Sequence, residues 1–356
     1  MIKIAIVGTG GIAEWHVTEF QKNNDSTVVA ACDVSSDRLN AFCDKFNIKE
    51  RYNSVEELLD KSDIDAVTNT TPDSFHKDIS IKVINHNKHI FCEKPLAENY
   101  KDAKEMCDAL KNKNLINMVN FSYRNSSGYQ ELVKTVQSGK IGNIMHMDAN
   151  YYQSWLSSKY WGDWKTEDKW LWRLSTNHGS MGTLGDIGVH IFDFASFPIG
   201  PIKKLNARLK TFKSKGEKIK DYILDANDTF VSMVEFENGA LGTITSTRFA
   251  TGYSNRIELR IFGDKGAVKI EFDNPLLSEG NKFMFTDDIN QRFSSKEDKL
   301  KWETIETTPT MNNFEKYIDS IKNNVTYEPD FNRGAEIQNI LDQCAKSSNL
   351  DSWVDV

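Results

Sequence analysis

No apolar run in this 356-residue chain approaches the roughly 18 residues that a membrane-spanning helix needs, so a membrane role is not expected. The opening stretch Met1–Val7 is apolar but short. It lacks a small-residue cleavage site and runs straight into a glycine loop, so it reads as a buried strand rather than an export signal. Positive charge is also in short supply. Lys and Arg total 44 against 51 Asp and Glu, which gives a net charge of -7. A phosphate-binding face needs a basic field, so nucleic acid is set aside as the main partner. Cysteines are few: five, at 32, 43, 92, 107 and 344, with no C-x-x-C pair. An odd count without pairing fits reduced thiols in a cytoplasm better than a disulfide framework. Internal repeats and low-complexity tracts are absent too.

What is present is an ordinary globular composition, 39% hydrophobic and 27% charged. Single cores stop growing near about 250–300 residues, so two domains are expected. In the first third, short apolar runs such as Ile2–Val7, Val28–Cys32, Asp65–Asn69, Lys88–Cys92 and Leu115–Val119 alternate with helical segments. That rhythm predicts an α/β fold with a parallel sheet covered on both faces. After about Arg124 the pattern becomes strand after strand, with Asn238-Gly239 and Gly263-Asp264-Lys265-Gly266 at turns where positive φ is expected. A second, α+β domain on a mostly antiparallel sheet follows from this. The division is placed as residues 1–124 for nucleotide binding and 125–356 for substrate binding and oligomerisation. Helices are expected at about Leu184–Phe197, Met311–Asn323 and Asn332–Ser347; the polar stretch Leu276–Thr308 has no clear pattern.

Gly8-Thr9-Gly10-Gly11-Ile12-Ala13 matches G-x-G-x-x-G/A. Gly8 permits the tight turn, Gly10 lets backbone approach a pyrophosphate, and Ala13 allows close helix–strand packing. The motif follows a strand and opens a helix, and Asp33 ends the next strand 20 residues after Ala13. That context marks a dinucleotide site. Asp33 would accept both ribose hydroxyls and repel a 2′-phosphate, which favours NAD. Arg38 keeps NADP as the alternative.

Lys94, in Glu93-Lys94-Pro95, stands at the carboxyl end of a predicted parallel strand, where open α/β sheets place their ligands. Its ammonium suits a substrate oxygen that becomes an alkoxide as hydride leaves, with desolvation lowering its pKa. Asp186 and His190, four apart, would share a helix face, and a carboxylate beside an imidazole fixes its tautomer and stabilises its protonated form. Asp193 extends that face. A metal triad is set aside, because the oxidation needs none and no Cys or second His completes it. Five of eight tryptophans fall between Trp155 and Trp172, with polar residues interleaved. Such a segment serves either as a sugar-stacking wall or as a core or subunit interface.

Taken together, Gly8–Ala13, Asp33, Thr70-Thr71-Pro72 with His76, Glu93-Lys94-Pro95, Phe121-Ser122-Tyr123-Arg124 and Gly185–His190 resemble the glucose–fructose oxidoreductase / inositol dehydrogenase / MocA family, as does the tail from Pro329-Asp330. The resemblance implies a Rossmann domain and a second domain whose open sheet forms dimers or tetramers. It implies that His190 takes a substrate hydroxyl proton while Lys94 and Asp186 polarise and orient. Thr70, Thr71, Pro72, His76 and Glu93 would border the cofactor, and the Lys94-Pro95 bond is often cis in relatives. Tyr123, Gln153, Trp155, Trp172 and Arg173 would join Lys94, Asp186 and His190 at the substrate. The segment from Tyr151 to Leu156, with Trp172-Arg173, looks like the branch that oxidises pyranoses and anhydrosugars. The stretch Ser175–Gly182 departs from the family by being poorer in glycine, and its His178 is an extra group placed to touch substrate.

Three functions compete: an NAD(P)-dependent sugar or polyol dehydrogenase, a glycoside hydrolase that uses NAD transiently, and a non-catalytic nucleotide sensor. Lys94, Asp186 and His190 together argue against the sensor, which has no need of proton transfer. The first reading is favoured.

Overall fold

A computed structural model of the chain describes every residue except 179, 213–215, 274–281 and 290–300. Much of the unassigned polar stretch from Leu276 therefore lies outside the described residues. The chain forms two compact units, Met1–Ser122 with Met311–Gln338, and Tyr123–Thr310 with Asn339–Val356.

The first unit is a six-stranded sheet of β1 (Ile2–Val7), β2 (Ser26–Cys32), β3 (Glu50–Tyr52), β4 (Ala66–Asn69), β5 (His89–Cys92) and β6 (Asn117–Val119), in the order β3-β2-β1-β4-β5-β6. Every pairing is parallel. The order reverses between β1 and β4, which makes the switch point at which such sheets bind ligands. Ile4, Ala5 and Ile6 are fully buried in succession, as strands covered on both faces must be. Helices begin where polar side chains cap them: Ser35, Ser54 and Asn99 each accept an N–H from the first turn.

The late segment Met311–Gln338 joins this unit through its helix Asn313–Asn323. Asn312 and Glu315 form a capping box, and Phe314, Tyr317 and Ile318 pack with Val17, Phe20 and Phe91. Phe314 stacks on Phe91 with ring centroids 5.0 Å apart. A single division of the chain does not capture this return. The pattern shows an amphipathic helix but not which core receives its apolar face.

The second unit carries β7 (Ile144–Gln153), β8 (Ile202–Lys210), β9 (Glu217–Ile219), β10 (Tyr222–Leu224), β11 (Thr229–Phe236), β12 (Leu241–Thr247), β13 (Asn255–Gly263), β14 (Ala267–Phe272), β15 (Lys282–Thr286), β16 (Glu303–Thr304) and β17 (Val354–Asp355). Among the described residues nine form one sheet, β16-β15-β14-β13-β7-β12-β11-β8-β17, and β9 with β10 forms a separate hairpin. Only the β7–β12 pairing of that sheet is parallel. Strand β11 alternates, with Phe230, Val234 and Phe236 inward and Val231 and Met233 exposed. Gly239 takes the expected positive φ of 86°. Gly263 and Gly266 do not. A Cβ would lie 2.0 Å from the Ile141 oxygen at Gly263 and 2.7 Å from the Thr286 oxygen at Gly266, so these glycines serve close backbone approach instead. On the buried face, the ring of Tyr129, from helix Ser127–Gln137, stacks on Phe194 of helix Val189–Ser196 at 4.0 Å.

Candidate active site

The nucleotide loop is built as its glycines require. Gly8 has φ of 88°, and a Cβ there would sit 2.9 Å from the Thr70 carbonyl carbon and oxygen. Thr70 holds the turn, donating its hydroxyl to the Gly8 oxygen at 2.7 Å. A Cβ on Gly10 or Gly11 would meet nothing within 4 Å, so the backbone there faces open space. Helix Gly11–Lys22 starts beside it with no side-chain cap, leaving its first N–H groups to an anion. Ala13 is fully buried against the sheet, while Ile12 is exposed.

Asp33 is buried at the end of β2. It accepts from the Thr9 N–H at 2.8 Å, the Thr9 hydroxyl at 2.9 Å and the Ser35 N–H at 2.9 Å. Arg38 grips it through Nε at 3.0 Å and a terminal nitrogen at 2.8 Å. Burial opposes ionisation here, but Arg38, Ser35 and Thr9 outweigh it and hold the carboxyl well below its usual range. An open glycine turn, an uncapped helix start and an ionised carboxylate at the second strand's end fit a dinucleotide.

Two loops follow the carboxyl ends of β4 and β5. One carries Thr70, Thr71 and Pro72, the other Glu93, Lys94 and Pro95, with the Lys94-Pro95 bond cis. Fully buried His76 joins them: Nδ1 lies 2.7 Å from the Pro95 oxygen and Nε2 lies 2.9 Å from the Thr71 oxygen. Two carbonyl acceptors require two N–H donors, the imidazolium form. Burial opposes that charge, but Cys92, Asp73 and the Pro95 carbonyl favour it, and the pKa is raised to about 10. His76 thus spends both nitrogens on the loops themselves.

Glu93 is likewise committed inward. His16, fully buried on the first helix, places Nε2 2.7 Å from Glu93 Oε1 and Nδ1 2.8 Å from the Thr68 hydroxyl. Asn120 donates to the same Oε1 at 2.7 Å, and the Lys94 N–H reaches Oε2 at 3.2 Å. Burial pushes Glu93 up, yet His16, Asn120 and the Lys94 charge bring its pKa down to about 2. Half-buried Lys94 therefore begins from a backbone anchored beneath it.

In the second unit Asp186 lies in a π-turn, Leu184–Gly188, that runs into helix Val189–Ser196 with His190. A plain α-helix was the expectation. The wider turn means that the α-helical i, i+4 period does not by itself place the two residues on one face. A Cβ on Gly185 would lie 2.2 Å from the Cβ of Met181, which shows how tightly this turn is packed. Asp186 Oδ2 accepts from Arg248 at 2.8 Å and lies 3.6 Å from Arg173 Nε. His190 is buried under Tyr123, with ring centroids 4.3 Å apart, and Tyr123 shares a 2.6 Å hydroxyl bond with Tyr151. Burial raises the pKa of both tyrosines, so both stay neutral. Asp193 is committed elsewhere, in a buried two-pronged pair with Arg124. Among the described residues no cluster of three His, Cys, Asp or Glu could hold a metal.

The aromatic segment divides. Trp155 and Trp164 are buried in a cluster with Leu156, Leu171, Leu174 and Leu224. Trp155 Nε1 donates to Gln153 Oε1 at 3.1 Å, and Gln153 Nε2 donates to Asn255 at 3.0 Å. Both residues, expected at the substrate, turn their polar atoms into the fold. Trp172 is exposed with the Arg173 guanidinium 4.4 Å over its ring, and His178 is exposed beside Tyr222. The sequence reading missed His16, Asn120 and Arg248. His16 alone left a signal, on the motif helix three residues past Ala13.

Residues 2–121 match the Gfo/Idh/MocA oxidoreductase family with its NAD-binding Rossmann fold, and residues 129–269 match that family's C-terminal domain. The chain belongs to the Gfo/Idh/MocA family. Among its relatives, the levoglucosan dehydrogenase of Pseudarthrobacter phenanthrenivorans is 27% identical over 88% of this chain and 85% of its own. The myo-inositol 2-dehydrogenase of Thermotoga maritima is 27% identical over 75% and 74%. A levoglucosan dehydrogenase solved with NADH and levoglucosan superposes with a TM-score of 0.85 at 25% identity, covering 100% of this chain and 99% of that one. No described helix is long and apolar enough to cross a membrane.

Proposed function

We propose that this Gfo/Idh/MocA protein oxidises a ring hydroxyl of a sugar, anhydrosugar or polyol with NAD, using Lys94, Asp186 and His190. His190 takes the hydroxyl proton while Lys94 and Asp186 orient and polarise the oxygen; NAD, held at the Gly8–Ala13 loop and Asp33, would supply the hydride acceptor. The observation that carries this reading is the conjunction of an open, uncapped nucleotide loop in one unit with a buried histidine and an arginine-held aspartate in the other. The named relatives are dehydrogenases, so neither the glycosidase nor the sensor is favoured. The levoglucosan and inositol enzymes support a pyranose, anhydrosugar or cyclitol as substrate. Trp172 and His178, exposed, with half-exposed Arg173 on the same stretch, and Tyr123 over His190 are the substrate contacts; Gln153 and Trp155 turn their polar atoms into the fold. The open sheet face with Val231, Met233 and Leu241 exposed supports a homodimer or homotetramer, and five free thiols support the cytoplasm.

The test is NADH formation with NAD or NADP across inositols, aldoses and anhydrosugars. Sustained NADH from one class identifies the substrate, and none from any class would overturn the reading. Lys94→Ala should keep NAD binding while turnover falls about 10²–10⁴-fold, as loss of a general acid–base group does. Unchanged turnover would remove Lys94 from the mechanism.

A further inference from the structure

Arg248 stands one residue past β12 and is the largest fully buried side chain described. Its main chain is fixed: its N–H donates to the Asp228 carbonyl at 3.0 Å and its carbonyl accepts from the Leu156 N–H at 3.2 Å. The guanidinium donates to Asp186 Oδ2 at 2.8 Å and to the Arg173 carbonyl at 3.2 Å, and lies 4.8 Å from the Trp155 ring centre. Its Nε is buried without a partner.

A guanidinium does not give up its proton, and burying one costs several kcal/mol unless an opposite charge meets it. The Asp186 side chain is 27% exposed, whereas that of Arg248 is fully buried. Water reaches part of the carboxylate and none of the guanidinium. The expensive partner is the arginine, and what it gains is control of the carboxylate.

We propose that Arg248 is a positioning residue for the oxidation, gripping Asp186 from the buried side so that it stays a carboxylate throughout turnover and the substrate proton rests on His190. This deepens the acid–base reading above and rests on it. When hydride leaves, the O–H bond breaks and its proton joins the imidazole. A carboxylate of ordinary proton affinity nearby would compete for that proton. With a guanidinium in contact, and Arg173 half-exposed 3.6 Å from the same oxygen, Asp186 stabilises the imidazolium without taking the proton. The other titratable neighbours do not substitute for Arg248. Tyr123 and Tyr151 are neutral, and Asp228 acts on Arg248 as a second anion with a weaker effect than Asp186.

The experiment is a double-mutant cycle of Arg248→Met and Asp186→Asn, read as pH profiles of kcat/KM together with NAD affinity. In the wild-type background Arg248→Met should lower kcat/KM about tenfold or more, the scale of coupling between groups in contact. Removing the cation raises the proton affinity of Asp186, so the acidic limb should move to higher pH, with NAD affinity unchanged. In the Asp186→Asn background the same change should add less than about twofold and leave the limb in place. Equal losses in both backgrounds, or an unmoved limb in the single variant, would overturn the clamp while leaving Asp186 in the mechanism. Full activity of Asp186→Asn alone would overturn both. Should Arg248→Met fail to fold, Arg248→Lys decides. A cation without the planar fork should keep the limb near its wild-type pH while kcat falls, and wild-type kcat would refute the requirement for the fork.

Discussion

Glu93→Gln tests the buried network under Lys94. The wild-type carboxyl is held at about 2 against an ordinary 4.5. That difference corresponds to about 3 kcal/mol of stability at neutral pH, at 1.36 kcal/mol for each pH unit. Glutamine keeps one acceptor oxygen for His16 and Asn120, but its amide meets the Lys94 N–H with another donor. The loss should be about 2–3 kcal/mol, which at about 2.1 cal/mol/K of unfolding entropy per residue lowers the unfolding midpoint of a 356-residue chain by about 3–4 °C. The pH dependence has a definite sign. A depressed carboxyl pKa stabilises the fold above about 4.5, and that contribution is lost as pH falls toward about 2. Thermal unfolding of wild type and variant from neutral pH down to the edge of acid stability should show a gap that is widest at neutrality and closes below the ordinary carboxyl range. A variant as stable as wild type at neutral pH, or a gap that does not change with pH, would refute the charged network.

Replacing Asp33 by Ser frees the Arg38 guanidinium and removes an anion that repels a 2′-phosphate. The ratio of kcat/KM for NADP over NAD should rise about tenfold or more, given the strength of charge-assisted hydrogen bonds. A preference unchanged by the substitution would place cofactor selection elsewhere. Gly8→Ala puts a methyl 2.9 Å from the Thr70 backbone at a φ of 88°. NAD affinity measured by calorimetry should fall sharply, alongside a stability loss of about 1–2 kcal/mol or more. Met233→Glu on the exposed sheet face should shift sedimentation toward the monomer with the first unit's NAD binding intact; an unchanged assembly would mean that copies meet through another surface.

Much of this molecule was legible from local signals. A continuous apolar run makes a doubly covered strand, a glycine loop with an acid at fixed spacing makes a nucleotide site, and both depend on neighbours along the chain. The Rossmann order, the change to a mostly antiparallel sheet and the Gly8–Ala13 turn were therefore open to reading. Other features depend on partners far apart in sequence. Glu93 meets His16 across 77 residues and Asp186 meets Arg248 across 62. No periodicity links such positions, because burial brings them together only after both strands or helices are in place. The same is true of the Met311 segment's return to the first core, and of Trp155, whose composition suited a sugar wall until its neighbours packed it inside. The sequence alone determined which chemistry the chain carries. Tertiary packing decided which charges are paired, and so which groups remain to act.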